Sequence, residues 1–207
     1  MKTTATIVNE AMKLVGSGND GEKREDWEII KARENKAKSD AFKKDRWDKI
    51  CPPLYRQTDR QRIENKELLK DIMNWNPIRG ANLWILGPTG KQKTRMAFLL
   101  LEKLLFINGF SVEAINAVEL GMKLSRPVWD GKEEELERLS RYQVLLIDDL
   151  GKEPDTQTIS QYLYLLVEKR YSHNKQTIIT SNESQDRQSQ RPTYRRLMEN
   201  ALFVEVE

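Results

Sequence analysis

Two pairs of polar residues, Lys93-Thr94 and Asp148-Asp149, are of the types that bind phosphate and a divalent cation. A lysine ammonium at the start of a helix attracts the outer phosphates of a nucleotide, and a neighbouring hydroxyl can ligate Mg²⁺. A carboxylate at the end of a buried strand can hold the same cation, while a second one orients or deprotonates a water molecule. We therefore predict Lys93 as the phosphate-binding cation, Thr94 and Asp148 as metal-binding residues, and Asp149 as a catalytic residue.

The first pair lies where a strand, a glycine-containing turn and a helix follow one another. Residues 83–86 are all apolar and predict a buried strand, and residues 96–106 predict a helix. Backbone N–H groups in such a turn, together with the helix dipole, favour an anion. The predicted nucleotide-binding residues run through this turn, and they are Gly87, Pro88, Thr89, Gly90, Lys91, Gln92, Lys93, Thr94 and Arg95.

The turn departs at one position from the usual phosphate-loop pattern, G-x-x-x-x-G-K-[ST]. Gln92 stands where the second glycine belongs, and that glycine normally lets the backbone approach phosphate without an intervening Cβ. If the position also requires a positive φ, Gln92 costs roughly 1–2 kcal/mol of backbone strain. We expect Gly90 to restore part of the lost freedom. The alternative is an ordinary strand-to-helix turn that binds no nucleotide.

The composition narrows the classes of protein. With 207 residues, 38% of them hydrophobic and 32% charged, the chain can form one core while another part is strongly solvated. The net charge of +3 gives no general basic signal, so a nucleic-acid surface would have to be local. Cys51 is the single cysteine, and with a single histidine a dedicated zinc site is not expected. Without a signal peptide or a bilayer-spanning apolar run, we expect no membrane association and a cytoplasmic, reducing setting.

The N-terminal region is dense in charge. A short helix within residues 1–15 and a linker over residues 16–21 are predicted first. Residues 22–47 then predict a long helix with a thin apolar stripe, formed by Trp27, Ile30, Phe42 and Trp47.

Three interpretations of this helix stay open: a solvated arm, an arm that docks a partner protein, and a contact with nucleic acid. Exposed aromatic residues on a charged helix favour interface anchoring. We place the boundary of the globular domain near Trp47, with residues 1–50 as a helical arm and possible docking region, and residues 51–207 as the main domain.

The rest of the chain alternates helices with strands. Helices are predicted over residues 58–75, 118–124, 132–141, 158–170 and 193–200, strands over residues 111–116, 144–147, 176–182 and 202–206, and a polar loop over residues 184–192. This alternation predicts a three-layer α/β domain with a mostly parallel sheet. Ligands bind such sheets at the carboxyl ends of the strands, where Asp148, Asp149 and Asn182 fall. We expect Asn182 to touch the γ-phosphate or the attacking water, and a plain turn residue is the alternative.

Five segments share their order and spacing with a known family. They are Gly87-Pro-Thr-Gly with Lys93-Thr94-Arg95, Leu145-Leu-Ile-Asp-Asp-Leu-Gly151, Glu168-Lys-Arg-Tyr171, Thr177-Ile-Ile-Thr-Ser-Asn182 and Tyr194-Arg-Arg-Leu197. They resemble the AAA+ ATPases of the DnaC/DnaI helicase-loader and IstB group, over roughly residues 75–207. The resemblance implies a P-loop NTPase with a RecA-like AAA+ core, a site for ATP and Mg²⁺, and a homo-oligomeric ring or spiral in which one subunit's arginine completes its neighbour's site.

The resemblance also assigns roles to single residues. Asn182 corresponds to the sensor asparagine. Arg196, with Arg195 beside it, corresponds to the arginine finger, and an exposed basic helix end is the alternative. Arginine suits transition-state charge because its planar guanidinium stays ionised and grips phosphate oxygens. Arg170, the last residue of the helix predicted over residues 158–170, corresponds to an arginine often found after that helix.

As a function, the resemblance implies an ATP-dependent loader of the replicative hexameric helicase in DNA replication initiation. The N-terminal arm would bind the helicase, and the core would engage single-stranded DNA, for which Lys91, Arg95, Arg187 and Arg191 are candidates. We expect weak hydrolysis, because of Gln92 and because no segment for a second sensor arginine follows the last strand. The alternatives are an ATPase helper of a transposase and an adaptor that binds nucleotide and a replication protein without hydrolysis.

Overall fold

Five parallel strands form one sheet within residues 20–206, which are the residues that the computed structural model describes; the side chains of residues 20–26 and of Val128 are not described. The strands are β1 (Leu83–Leu86), β2 (Val112–Asn116), β3 (Val144–Asp148), β4 (Gln176–Ser181) and β5 (Leu202–Glu205). Their spatial order is β2-β3-β4-β1-β5. Strand β4 therefore lies between β1 and β3, although it follows both in the chain.

Helices precede and connect these strands. They are α1 (Asp20–Ile50), α2 (Pro53–Arg56), α3 (Lys66–Asn74), α4 (Lys93–Phe106), α5 (Ala117–Leu124), α6 (Lys132–Arg141), α7 (Gln157–Ser172), α8 (Gln185–Ser189) and α9 (Arg195–Met198). Short 3₁₀ turns cover Arg60–Arg62, Pro77–Arg79, Val128–Asp130 and Pro192–Tyr194. The predicted α/β class and the helical extension before the core are confirmed.

The sheet is covered by an apolar core on each face. Successive side chains of a strand point to opposite faces, so Leu83 and Ile85 of β1 enter the core that contains α4. Trp84 and Leu86 enter the other core, with residues from α5, α6 and α7. Because both faces are buried, β1 is a continuous apolar run and so is β3 over residues 144–147, as is usual for parallel strands. The domain is thus built in the three layers that were predicted.

The described chain divides into two compact units, with the division between Asp45 and Arg46. In the first unit, Trp27 and Phe42 are 64% and 71% exposed. In the second, Trp47 is buried and packs edge-on against Phe98 and Phe106, with ring centroids 6.2 Å apart in both pairs.

The N-terminal predictions have different outcomes. Trp47 belongs to the core rather than to an apolar stripe on the arm, because α4 offers it two aromatic partners. The helix predicted within residues 1–15 lies outside the described residues, as does most of the linker predicted over residues 16–21. Helix α1 already begins at Asp20.

One predicted helix is shorter in the structure for a local reason. The helix predicted over residues 58–75 is interrupted by caps: the Asp59 carboxylate accepts the Gln61 N–H at 2.8 Å, and the Asn65 side chain accepts the Leu68 N–H at 2.9 Å. Each cap starts a new element, so only α3 is a true α-helix there.

The polar segment over residues 184–192 is likewise not a plain loop. It contains α8, and the fully buried Gln188 amide donates to the Ser181 hydroxyl at 2.8 Å. An amide side chain in a polar segment is expected to face solvent. The hydrogen bond to Ser181 explains why Gln188 is buried instead.

Arg170 is a buried link between α7 and its neighbours. Its guanidinium donates to the carbonyl oxygens of Leu139 and Tyr142, both at 2.9 Å, and to that of Gln176. Its Nε donates to the Thr177 hydroxyl at 3.2 Å. Arg170 therefore holds α6, α7 and β4 together and lies inside the fold.

We expect Arg170→Met to lower the free energy of unfolding by about 2–4 kcal/mol, because the buried carbonyl groups lose their donors. Urea unfolding followed by circular dichroism measures this loss. Lys169→Ala is the matched control, since Lys169 is half exposed and pairs only at the surface with Glu137. Equal loss in the two variants would contradict a structural role for the buried guanidinium.

Candidate nucleotide-binding site

The loop after β1 depends on two glycines for different reasons. Gly87 has φ +139°, and a Cβ there would lie 2.2 Å from the carbonyl oxygen of Val206 beside β5. Gly90 has φ +87°, but nothing lies within 4 Å of its Cβ position. Gly87 allows two chain segments to approach closely. Gly90 is favoured only for its backbone conformation, which residues with a Cβ rarely adopt.

Gln92 adopts the left-handed conformation of the glycine that it replaces. Its φ and ψ are +60° and 17°, and it is the residue from which α4 begins. The positive φ considered from the sequence is confirmed. Its amide Oε1 accepts the Glu64 N–H at 3.1 Å, and its Nε2 donates to the Arg62 carbonyl at 3.3 Å. The loop thus keeps a glycine-like backbone, and the extra side chain bonds to the segment before α3.

Lys93 holds its ammonium at the centre of the site. The residue is 5% exposed, and its Nζ donates to the Pro88 carbonyl and to Asn182 Oδ1, both at 2.8 Å. Burial lowers the pKa of Lys93, and the nearby Asp149 carboxylate opposes that shift. An ammonium with these partners, at the first residue of α4, is placed to bind an anion.

Asp148 joins α4 to two strands. Its Oδ1 accepts the Thr94 hydroxyl at 2.8 Å and the Thr180 hydroxyl at 2.6 Å. Burial raises the pKa of Asp148, and these two hydrogen bonds counteract the rise. The carboxylate and the Thr94 hydroxyl form an oxygen donor set of the kind that Mg²⁺ prefers. The donor set of these two residues fits a magnesium ion.

Asp149 turns away from β3 in a left-handed conformation. Its φ is +60°, and its N–H donates to the Thr180 hydroxyl at 2.9 Å. Its Oδ2 forms an ion pair with Lys152 Nζ at 2.8 Å. Lys152 is a site residue that was not predicted, although a lysine three positions after an acidic pair was the available signal.

The sheet order explains why these residues meet. Because β4 lies between β1 and β3, the carboxyl ends of three adjacent parallel strands bring together the glycine loop, the acidic pair and Asn182. A cavity of about 250 Å³ lies there, and it is lined by Leu54, Tyr55, Thr89, Gly90, Lys91, Gln92, Lys93, Thr94, Arg95, Asp149, Lys152 and Asn182. The structure therefore gathers most of the predicted site residues around one space.

A second cavity shares part of this lining. Its volume is about 410 Å³, and it is lined by Gln57, Thr58, Asp59, Arg62, Ile63, Gln92 and Arg95. Gln92 and Arg95 line both cavities. The two spaces together offer room for an anionic group beside Lys93 and for a further portion of a ligand beside Gln92.

Arg195 and Arg196 lie apart from this site. The carbonyl of Leu197, in the same helix α9, accepts the side-chain N–H groups of Asn82 and Trp84 at 3.0 Å, which places α9 near the amino end of β1. The loop follows the carboxyl end, about 13 Å away at roughly 3.3 Å per residue. Arg196 pairs with Glu168 at 2.8 Å and is also bound to Glu199, whereas Arg195 is exposed.

The basic residues considered for DNA contact have different surroundings. Lys91 is exposed at the mouth of the first cavity, and Arg187 is largely exposed. Arg95 donates to the Leu54 carbonyl, and Arg191 pairs with Glu183 at 3.3 Å. The charges of the last two are thus engaged within the chain.

Among the residues that the structure describes, no helix is long and apolar enough to cross a bilayer.

Known proteins that resemble this chain share its ATP-binding fold. The crystal structure of the DnaC helicase loader is 25% identical, with a TM-score of 0.54, over 69% of this chain and 87% of that one. The crystal structure of DnaI is 17% identical, with a TM-score of 0.61, over 75% of this chain and 91% of that one. No curated protein sequence matches the chain.

A third solved structure, AMPPCP-bound DnaA from Aquifex aeolicus, is 21% identical, with a TM-score of 0.55. The match covers 68% of this chain and 45% of that one, so the chain spans less than half of DnaA. At these identities, DnaI and DnaA indicate the fold alone. The family model described as IstB-like ATP binding protein matches residues 57–200, which contain the loop, the acidic pair and Asn182. The chain therefore belongs to the IstB-like ATP-binding family, with the AAA+ P-loop fold of the DnaC type.

Proposed function

We propose that this protein binds ATP with Mg²⁺ around Lys93, hydrolyses it, and couples that cycle to loading a replicative hexameric helicase onto single-stranded DNA. One observation carries the enzymatic part of this proposal. The Lys93 ammonium bonded to Asn182, and the Thr94 hydroxyl bonded to Asp148, lie at adjacent strand ends around a single cavity. A phosphate cation, a metal-binding pair and a polar sensor are together the parts that phosphoryl transfer requires.

The ligand's parts follow from the two cavities. The loop N–H groups, the dipole of α4 and the Lys93 ammonium would bind the outer phosphates. Thr94 and Asp148 would hold Mg²⁺, which neutralises charge that develops on the phosphates during transfer. The base and ribose would occupy the adjoining cavity beside Gln92, because the outer phosphates take the space at Lys93.

Hydrolysis needs a residue that acts on water. Asp149 lines the cavity and follows the metal-binding Asp148, so its carboxylate can orient or deprotonate the attacking water. The ion pair with Lys152 holds that carboxylate at the cavity wall. Asn182, already bonded to Lys93, would sense the γ-phosphate as the ammonium changes partners.

Arg195 and Arg196 would serve a neighbouring subunit. They lie near the opposite end of β1 from their own loop, so they suit a site in trans rather than in cis. Arg195 is exposed and free to approach a neighbour, while Glu168 and Glu199 orient Arg196. The protein would therefore act as a homo-oligomer, a ring or spiral.

The helicase partner is proposed from likeness and from exposure. The similar DnaC structure is that of a helicase loader, and the arm of this chain exposes Trp27 and Phe42. A transposase-helper ATPase is the second candidate, because the matching family model is IstB-like. Co-purification of the full chain with a hexameric helicase separates the two, and a Trp27→Ala, Phe42→Ala variant should lose that helicase if the arm docks it.

The first prediction for the site concerns binding. Lys93→Ala removes a buried cation, so the affinity for a nonhydrolysable ATP analogue with Mg²⁺ should fall about 10- to 100-fold in isothermal titration. Lys70→Ala, which changes an exposed lysine of α3, should bind as the unaltered protein does. Failure of the unaltered protein to bind the analogue would refute the nucleotide site itself.

A second prediction separates binding from chemistry. Asp149→Asn should lower kcat for ATP hydrolysis at least about 100-fold, as loss of a general base does, while the analogue binds within a few-fold of normal. Asp155→Asn, at an exposed acid nearby, should leave kcat unchanged. If hydrolysis is undetectable in the unaltered protein with DNA and partner present, the nonhydrolysing adaptor becomes the better interpretation.

A third prediction tests the arginines in trans. Asp149→Asn subunits keep both arginines, and subunits carrying Arg195→Ala and Arg196→Ala keep an intact loop and acidic pair. Mixed in equal amounts, the two inactive proteins should hydrolyse ATP faster than either does alone. Some sites then combine the acidic pair of one subunit with the arginines of its neighbour. A mixture no more active than the sum of its components would exclude action across a subunit boundary.

A further inference from the structure

We propose that Gln92 is a positioning residue whose amide clamps the segment Arg62–Glu64 onto the phosphate loop and so builds the wall of the cavity for the base and ribose. The inference rests on the proposed function in taking the ligand to be a nucleoside triphosphate. It assigns a use to the one residue by which this loop departs from the glycine pattern.

The clamp consists of two hydrogen bonds made by one amide group. Gln92 Oε1 accepts the backbone N–H of Glu64 at 3.1 Å, and Nε2 donates to the backbone carbonyl of Arg62 at 3.3 Å. Between them, Ile63 is 2% exposed and packs into the core beside α4. The segment is thus held by its buried residue on one side and by the Gln92 amide on the other.

A second side chain from the first turn of α4 holds the preceding part of the same wall. Arg95 donates to the Leu54 carbonyl and to the Thr58 hydroxyl, both at 3.4 Å, and its guanidinium lies 5.6 Å above the Tyr55 ring. Gln92 and Arg95 therefore tie two parts of residues 54–64 to the helix that carries Lys93. Both side chains line the cavity of about 410 Å³ as well as the cavity of about 250 Å³ beside Lys93.

The residue type at this position matters in two separable ways. A φ of +60° suits glycine or asparagine better than glutamine, so the backbone alone does not favour the residue present. The side chain must also reach Arg62 and Glu64, which glycine cannot do and asparagine, one methylene shorter, cannot do with both groups. The amide contacts account for a glutamine where the loop conformation by itself would select glycine.

The clamp should affect the nucleoside more than the phosphates. Lys93 and the loop N–H groups would act on the phosphates, whereas Arg62 and Ile63 line the adjoining cavity. Releasing that segment would leave the anion site intact and loosen the wall against which the base and ribose pack. The contribution of Gln92 is therefore expected in affinity for a nucleotide and not in affinity for a bare triphosphate.

The experiment compares Gln92→Asn and Gln92→Ala with a matched control, Gln61→Ala. The control removes an exposed amide from the 3₁₀ turn that contains Arg62. Each protein is titrated with AMP-PCP and Mg²⁺, and separately with inorganic tripolyphosphate and Mg²⁺. We expect both Gln92 variants to bind AMP-PCP about 5- to 20-fold more weakly, the effect of losing one or two hydrogen bonds, and tripolyphosphate within about twofold. Gln61→Ala should match the unaltered protein.

Amide hydrogen exchange without ligand gives a second readout. The Glu64 N–H should exchange at least about fivefold faster in Gln92→Ala and at the normal rate in Gln61→Ala, because only Gln92→Ala is certain to remove its acceptor. Unchanged exchange at Glu64, or equal losses of affinity for AMP-PCP and tripolyphosphate, would overturn the clamp. If the unaltered protein binds neither probe, the nucleotide site is refuted, while the exchange result still decides whether Gln92 holds the segment.

Discussion

A partly buried carboxylate connects one helix and two strands of this molecule. Asp148 Oδ1 accepts hydroxyl groups from Thr94 at the start of α4 and from Thr180 on β4, while Asp148 itself ends β3. A partly buried carboxylate is stabilised by such hydrogen-bond donors. The three elements meet because β4 inserts between β1 and β3. This order of strands places Lys93, Asp149 and Asn182 around one cavity.

The two ends of β1 have different roles in the proposed enzyme. Its carboxyl end leads into the loop with Gly87 and Lys93, and its amino end lies beside the helix that bears Arg195 and Arg196. A rigid strand keeps these two groups apart within one chain, because neither end can fold back onto the other. A site that needs both a loop and an arginine would then require two copies, which is the physical basis for the proposed oligomer.

Much of this architecture could be predicted because its signals are local. The apolar runs before Gly87 and before Asp148 predicted two buried strands, and the pairs Lys93-Thr94 and Asp148-Asp149 are of residue types suited to one chemistry. The loop pattern raised a left-handed backbone at Gln92 as a condition, and the structure has it there. The helix predicted over residues 58–75 failed where two side-chain caps outweighed a periodic apolar pattern.

The sequence alone therefore determined the order of elements, the phosphate loop and the acidic pair, since these depend on neighbours within a few residues. Only the tertiary structure decided where long-range partners place a side chain. It buried Trp47 against Phe98, bonded Gln92 to the Arg62–Glu64 segment and held Arg196 on Glu168. These contacts join residues 28 to 51 positions apart, as the bond from Glu64 to Gln92 and the Trp47–Phe98 pair show, and no local periodicity encodes them.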